Sequence, residues 1–110
     1  MYLPRHFEQT DRDALVALMR AHPLATVVLA GPDGATADLL PLEYDATAGA
    51  LGTLRGHVAR ANPLWQRAGA PVLAVFQGPQ AYVSPGWYAS KREHGKVVPT
   101  WNYTMVQARG

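Results

Sequence analysis

The stretch Gly56-His57-Val58-Ala59-Arg60-Ala61-Asn62-Pro63-Leu64-Trp65 joins a short apolar run to a predicted short helix. Asn62 is a favourable N-cap, and Pro63 suits the first helical position because its missing N–H would have no partner there. A loop that ends at a helix N-terminus offers free backbone N–H groups and a partial positive charge. Basic side chains stand just before that end, at Arg55, His57 and Arg60. We predict a site for a phosphate or another compact anion; the alternative is that Asn62 only caps the helix and the arginines are solvated.

The composition around this stretch predicts one domain over residues 1–110. The chain is long enough for one hydrophobic core, and its hydrophobic fraction of 48% argues against disorder. It has no cysteine and four scattered histidines, so we predict neither a disulfide nor a metal site. We expect a cytoplasmic protein without membrane contact, since no apolar run reaches membrane-spanning length and no secretory segment is recognisable.

Charge is distributed unevenly along the chain. Residues 1–45 hold three basic residues against seven acidic ones, whereas residues 46–110 hold seven basic residues against one acidic residue. A basic half favours an anionic partner, and the charge alone leaves open a phosphorylated cofactor, an acidic substrate or nucleic acid. No helix-turn-helix pair is predicted, so DNA contact would come from a basic loop such as residues 90–96, or from another part of a larger protein. The alternative for that loop is a solvated connector.

The order of predicted elements is one helix followed by short strands. Thr10 is the predicted N-cap of a helix that has apolar residues at spacings of three and four and ends before Pro23. The predicted strands cover residues 25–30, 35–44 (broken near Pro41), 51–55, 71–77, 81–84 and 97–108, with turns at 31–34 and at Gly78-Pro79. Short strands with few helices predict an antiparallel barrel or sandwich.

A second group of informative residues lies in the segments 82–88 and 98–103. Their Tyr and Trp side chains offer flat apolar faces suited to a planar ligand, and Asn102 carries both a donor and an acceptor for a ring edge. The alternative is that these aromatic residues fill the core or an oligomer interface. Strand alternation places Trp101 and Tyr103 on one side and Thr100 and Asn102 on the other. No nucleophile, dinucleotide or P-loop motif is present, so no catalytic residue is predicted.

Together these segments resemble the PaiB-type FMN-binding negative transcriptional regulators. The resemblance extends over nearly the whole chain and rests on several long, unusual sequence words in the same order. These are Met1-Tyr2-Leu3-Pro4 with Phe7, Gly56 to Pro63, Phe76-Gln77-Gly78-Pro79, Ala81-Tyr82-Val83-Ser84-Pro85, Trp87-Tyr88 and Val98-Pro99-Thr100-Trp101-Asn102-Tyr103.

The resemblance implies a mainly β (α+β) fold, a split β-barrel of the pyridoxamine-phosphate-oxidase type with an N-terminal helix. It implies a homodimer with FMN near the subunit interface. The FMN phosphate is then expected at Ala59, Arg60 and Asn62, and His57 is expected near the ring or the ribityl chain. The cofactor-binding residues implied in this way are Leu40, Pro41, His57, Ala59, Arg60, Asn62, Thr100 and Asn102, with Leu40 and Pro41 at the isoalloxazine edge and the last two lining the same cleft.

The resemblance also implies a function and a difference in length. Members of the family continue well past residue 110, so the chain is expected to be truncated relative to them. The implied function is that of a PaiB-like negative regulator, which would bind DNA. The alternatives are a flavin-dependent oxidoreductase on the same fold, and a barrel without cofactor that serves in protein association.

Overall fold

One helix and six strands form the regular structure of the part of the chain that the computed structural model describes, which is residues 1–87, 89, 95 and 98–110. They are α1 (Arg12–Ala21), β1 (Leu24–Gly31), β2 (Gly34–Pro41), β3 (Glu43–Asp45), β4 (Thr53–Arg55), β5 (Val72–Val83) and β6 (Thr100–Arg109). Short 3-10 turns lie at Arg5–Phe7, Pro63–Arg67 and Pro85–Trp87. The predicted mainly β, α+β class is confirmed.

Helix α1 begins one residue later than the capping signal suggested. The Asp11 carboxylate, rather than the Thr10 hydroxyl, accepts the backbone N–H of Asp13, at 3.2 Å. The carboxylate is the stronger acceptor and also suits the positive end of the helix dipole. The helix ends before Pro23, as predicted, and buries Met19 against the sheet. Among the described helices, none is long and apolar enough to cross a membrane.

The strands form a four-stranded antiparallel sheet in the order β2-β1-β5-β6 and a separate β3-β4 hairpin. The turn between β1 and β2 follows the predicted Gly-Pro-Asp-Gly signal, with Gly31 opposite Gly34. Strand β2 ends at Pro41, and the backbone N–H of Leu42 then donates to the carbonyl of Pro23 at 2.9 Å, which redirects the chain into the hairpin. The described strands form these two sheets and no closed barrel.

Strand β5 runs through the position where a turn was predicted. Gly78 and Pro79 form a β-bulge inside one twelve-residue strand, so the predicted division into two strands is wrong. A bulge accepts Pro because one residue of the bulged strand is left out of the ladder. Gly78 is needed there because a Cβ at this position would lie 2.3 Å from the Thr104 hydroxyl oxygen. The predicted final strand is found at Thr100–Arg109, and the predicted start at residue 97 lies outside the described residues.

The far half of the β5-β6 pair projects from the body as a two-stranded ribbon. Strand β1 pairs only with residues 72–75 of β5, whereas β6 pairs along β5 from Leu73 to Val83. The radius of gyration is 17.9 Å, against about 13 Å for a compact chain of this length. The core lies at the other end, in the body, where Phe76 is fully buried together with Met19, Ala25, Val27, Leu29, Tyr44, Ala74 and Val106.

Candidate functional site

The loop of residues 56–62 leaves β4 and ends at the 3-10 turn Pro63–Arg67. The side-chain oxygen of Asn62 accepts the backbone N–H of Leu64 at 2.8 Å, and Pro63 takes the first position of the turn, as predicted. The element is a five-residue 3-10 turn rather than an α-helix. Its dipole is therefore a small contribution, and binding of an anion depends on the loop itself.

The loop offers a row of backbone donors. Within the described residues, nothing accepts a hydrogen bond from the backbone N–H groups of residues 57–61. The carbonyl of Arg60 accepts the indole N–H of Trp65 at 2.9 Å, which fixes the backbone of the loop. Successive free N–H groups in a fixed loop are a common way to hold a phosphate. The donor chemistry of this loop therefore fits the phosphate of FMN.

The three arginines around the loop differ in whether their guanidinium groups already have partners. Arg55 forms an ion pair with Asp45 across the β3-β4 hairpin, with 2.9 Å between Nη2 and Oδ2. Arg67 donates from Nη2 to the carbonyl of Ala30 at 2.6 Å. The Arg60 side chain is exposed, and its guanidinium bonds to none of the described residues. Arg60 is thus the arginine of this region that is available to an anion.

An acidic residue that the sequence did not indicate lies beside the loop. The side-chain N–H of Asn62 donates to the Asp38 carboxylate on β2 at 2.8 Å. Both polar atoms of the Asn62 side chain are therefore engaged within the chain, and Asp38 disfavours a second anion next to it. This geometry disfavours the predicted contact between the Asn62 side chain and a phosphate. Asn62 instead joins the loop to β2.

Three residues expected near the flavin ring line two adjoining cavities. Leu40 and His57 lie in the wall of a cavity of about 710 Å³ between α1, the β3-β4 hairpin and the sheet. Pro41 and His57 line a more polar recess of about 650 Å³, which Arg20, Glu43 and Arg55 also face. His57 lines both spaces, together with Leu42, Tyr44 and Gly56. The structure therefore brings Leu40, Pro41 and His57 together, next to the loop that carries Ala59 and Arg60.

Thr100 and Asn102 are not brought to this region within one chain. Asp38, which contacts Asn62, pairs with Val27 of β1, and Val27 pairs in turn with Ala74 of β5. Asn102 of β6 pairs with Ala81, farther along β5. At a rise of about 3.3 Å per residue, Ala74 and Ala81 are roughly 20 Å apart along the strand. The predicted common cleft is therefore not formed inside a single copy.

The aromatic side chains of the ribbon lie on its exposed surface. Tyr82 and Trp101 are in contact, with ring centroids 5.9 Å apart, and the indole N–H of Trp101 donates to Gln80 at 2.8 Å. Tyr82, Trp101 and Tyr103 are about half exposed, and Trp87 is 74% exposed. This exposure excludes the hydrophobic core as the place of these side chains, so a planar ligand and an oligomer interface are the two predicted roles that are left. Tyr88 and most of the basic loop 90–96 lie outside the described residues.

Tyr44 is a functional neighbour that the sequence analysis missed. Its hydroxyl donates to the carbonyl of Leu51 at 2.9 Å and accepts a hydrogen bond from Arg12 at 2.8 Å. A Cβ at Gly52 would lie 2.4 Å from the Tyr44 ring, so a glycine is required there. The residue ties α1 to the hairpin that leads into the loop at Gly56. In the sequence, Tyr44 is marked only as the last residue of the predicted strand 35–44.

Electrostatics within the hairpin are set by Asp45. The Thr47 side-chain hydroxyl and backbone N–H both donate to this carboxylate, and together with nearby Arg55 they hold the pKa of Asp45 below its usual value. The charged form of Asp45 therefore stabilises the hairpin.

Fold and site together define a mainly β domain with a phosphate-type donor loop beside a concave wall. The chain belongs to the family described as "Putative FMN-binding domain", whose model matches residues 1–110. FMN is the cofactor of this family, and the resemblance to PaiB-type proteins is confirmed.

Among similar proteins, the "Protease synthase and sporulation protein PAI 2" of Bacillus subtilis (strain 168) is 36% identical over 112 residues, covering 100% of this chain and 51% of that protein. The "Uncharacterized protein AFUA_5G13800" of Aspergillus fumigatus is 40% identical over 98 residues, covering 71% of this chain and 34% of that protein. The "Uncharacterized protein YKL070W" of Saccharomyces cerevisiae is 28% identical over 131 residues, covering 100% of this chain and 76% of that protein. The chain thus spans about half the length of the Bacillus relative.

Proposed function

We propose that this protein binds FMN at a site shared between two copies of the chain and acts in the cytoplasm as a PaiB-like negative regulator of transcription. The observation that carries the shared site is a separation along β5: Asn102 pairs with Ala81, which lies roughly 20 Å along the strand from Ala74, the residue in register with Asp38 at the 56–62 loop. In a two-fold dimer, the ribbon of one copy reaches the loop of the other, and the second site forms by symmetry.

The exposed aromatic surface of the ribbon supports a second copy of the chain as the partner. An isolated two-stranded ribbon is marginally stable in water, and Tyr and Trp are the side chains that interfaces favour. Tyr82 and Trp101 present such a surface in a projecting part of the molecule. A second copy is the partner that also supplies the missing side of the cofactor site.

The residues then have distinct parts in holding the cofactor. The free N–H groups of residues 57–61 and the exposed guanidinium of Arg60 hold the phosphate. Leu40 and Pro41 lie toward the ring, and Asn102 of the second copy supplies a donor and an acceptor to its edge. When bound, FMN supplies a ring that accepts one or two electrons, which makes the complex responsive to redox state.

A complementation experiment tests the shared site. Arg60→Ala and Asn102→Ala are each expected to weaken FMN binding at least tenfold, measured by the change in visible absorbance and flavin fluorescence on titration at an FMN concentration that fills only intact sites. When equal amounts of the two variants are mixed and allowed to exchange subunits, each mixed dimer holds one intact site, so about a quarter of all sites recover. Arg5→Ala, at an exposed arginine that lines neither cavity, is the control. Absence of recovery with proven exchange would refute the shared site.

The regulator role is tested separately from cofactor binding. A regulator is expected to shift a defined promoter fragment in a gel assay, with affinity falling steeply as salt rises. An oxidoreductase, the alternative, is expected to consume NADH with the flavin cycling between redox states. Steady NADH turnover without a salt-dependent DNA complex would replace the regulator by the enzyme.

A further inference from the structure

Asp38 of β2 is a carboxylate on the side of the sheet that faces the core. It pairs with the buried Val27 of β1, and Leu40, two residues further along β2, lines the apolar cavity. Paired residues in an antiparallel sheet point to the same face, so Asp38 lies in a row with apolar neighbours. Among the described residues, no cation forms an ion pair with it. Its hydrogen-bond partner is the side-chain amide of Asn62.

Three hydrogen bonds meet at Asn62 and fix the end of the 56–62 loop. The side-chain oxygen accepts the backbone N–H of Leu64 at 2.8 Å, and the backbone N–H of Asn62 donates to the carbonyl of Ala59 at 2.8 Å. Both of these bonds are local. The bond to Asp38 is the one described side-chain hydrogen bond that joins the loop to the four-stranded sheet. Asp38 therefore fixes the turn 59–62 relative to the sheet.

The Asp38 carboxylate has two opposite effects on a phosphate held by the free N–H groups of residues 57–61. Its negative charge repels the phosphate, but the side chain is only half-buried, so solvent and salt weaken this repulsion. Its hydrogen bond fixes the turn before a ligand arrives, which reduces the ordering of the loop that binding requires. Because the fixed turn positions several donors at once, we expect positioning to outweigh the repulsion.

We propose that Asp38 is a positioning residue for the cofactor phosphate, and that through Asn62 it sets the preference of this protein for FMN over riboflavin, which lacks the phosphate. This rests on the proposed function, in which the 57–61 loop holds the phosphate. Strand β2 is also an edge strand, and an inward-pointing charge on an edge strand prevents pairing with another chain. That role alone would leave the choice between FMN and riboflavin unchanged.

The ratio of the Kd for riboflavin to the Kd for FMN, measured by flavin fluorescence titration, isolates the contribution of the phosphate. Asp38→Ala is expected to raise the Kd for FMN about tenfold, because a misplaced N–H loses one charge-assisted bond to the phosphate. The Kd for riboflavin is expected to stay within about twofold, since riboflavin makes no such bond. Asp33→Ala removes an exposed carboxylate from the same β1-β2 hairpin and is the control, with both Kd values unchanged.

Two further substitutions at the same position separate the hydrogen bond from the charge. Asp38→Asn keeps an acceptor for the Asn62 amide and removes the charge, so its Kd for FMN is expected to equal or fall below that of the unmodified chain. Asp38→Leu suits the apolar row and accepts no hydrogen bond, so it is expected to lower the ratio as Asp38→Ala does. It decides the question even where Asp38→Ala folds poorly.

A double-mutant cycle shows whether Asp38 acts through Asn62. Asn62→Ala is expected to raise the Kd for FMN at least as much as Asp38→Ala. The double variant is expected to bind FMN no more weakly than Asn62→Ala alone, since both changes remove the same bond. Effects that multiply would show that Asp38 acts apart from Asn62 and would overturn the inference.

Three other results would also overturn it. An unchanged ratio in both Asp38→Ala and Asp38→Leu would leave Asp38 with a role in the fold or the sheet edge alone. Tighter FMN binding in Asp38→Ala and Asp38→Asn alike would show that the repulsion dominates. Equal affinity of the unmodified chain for FMN and riboflavin would overturn the phosphate site of the proposed function as well, which distinguishes that failure from the other two.

Discussion

Arg60 and Arg67 are two arginines on either side of the same 3-10 turn, and the structure predicts opposite outcomes when each is replaced by alanine. The Arg60 guanidinium bonds to none of the described residues, so Arg60→Ala is expected to change the free energy of unfolding by less than about 0.5 kcal/mol. Losing one charge-assisted hydrogen bond to the FMN phosphate costs about 1.5–3 kcal/mol, which is roughly a 10- to 150-fold rise in Kd.

Arg67→Ala is expected to show the reverse. Its bond to the carbonyl of Ala30 ties the turn to the end of β1, at an exposed position where a net value of about 1 kcal/mol applies. For a domain of this size that lowers Tm by about 4–8 °C. The Kd for FMN is expected to stay within about twofold of the unmodified chain, since the Arg67 guanidinium is already engaged.

The assays are fluorescence titration with FMN and thermal unfolding followed by circular dichroism, applied to both variants at the same salt concentration. A loss of FMN affinity in Arg67→Ala with none in Arg60→Ala would refute the assignment of the phosphate to the 57–61 loop. A fall in Tm in Arg60→Ala would show that its guanidinium has a structural partner.

Two further predictions concern the hairpin beside the site. Tyr44→Phe removes the hydroxyl that bonds to both Leu51 and Arg12, so the free energy of unfolding is expected to fall by about 1–3 kcal/mol. Urea denaturation measures this change. An unchanged midpoint would show that the Tyr44 hydroxyl does not hold α1 to the hairpin. Asp45 has a pKa lower in the folded chain than in the unfolded chain, so its contribution is present above its ordinary pKa of about 4 and is lost as pH falls through the lowered value. The stability difference between the unmodified chain and Asp45→Asn, measured in urea from neutral to acidic pH, is therefore expected to be constant near pH 7 and to vanish in acid; a constant difference down to the lowest pH would contradict it.

Local signals predicted the elements well where one residue dictates the backbone. Pro23 ends α1 and Pro41 ends β2 because neither can donate a backbone hydrogen bond. Gly31-Pro32-Asp33-Gly34 is a hairpin turn because Gly34 adopts φ of 113°, which other residues rarely reach. Such features need no knowledge of distant residues.

Predictions that depended on distant partners were less successful. Gly78-Pro79 suits a turn and a bulge equally, and only pairing with β6 decides for the bulge. Asp38 lies 24 positions from Asn62 in sequence, and no local pattern indicates that the two side chains meet. Thr100 and Asn102 were assigned to the loop's cleft by family position, and a sequence does not say whether such residues meet within one copy or between two.

The bulge at Gly78-Pro79 determines which surface of the two-stranded ribbon each side chain beyond it occupies. On β5, the side chains of Ala74 and Phe76 point into the body, and the one extra residue shifts the alternation so that Tyr82 falls opposite Trp101, on the other surface. Deleting a single residue here would rotate Tyr82 by half a turn and mix an aromatic surface with the polar one that carries Asn102. The separation of the two surfaces is thus encoded by the number of residues in this segment, and a one-residue deletion is expected to disrupt it even where Gly78 is kept.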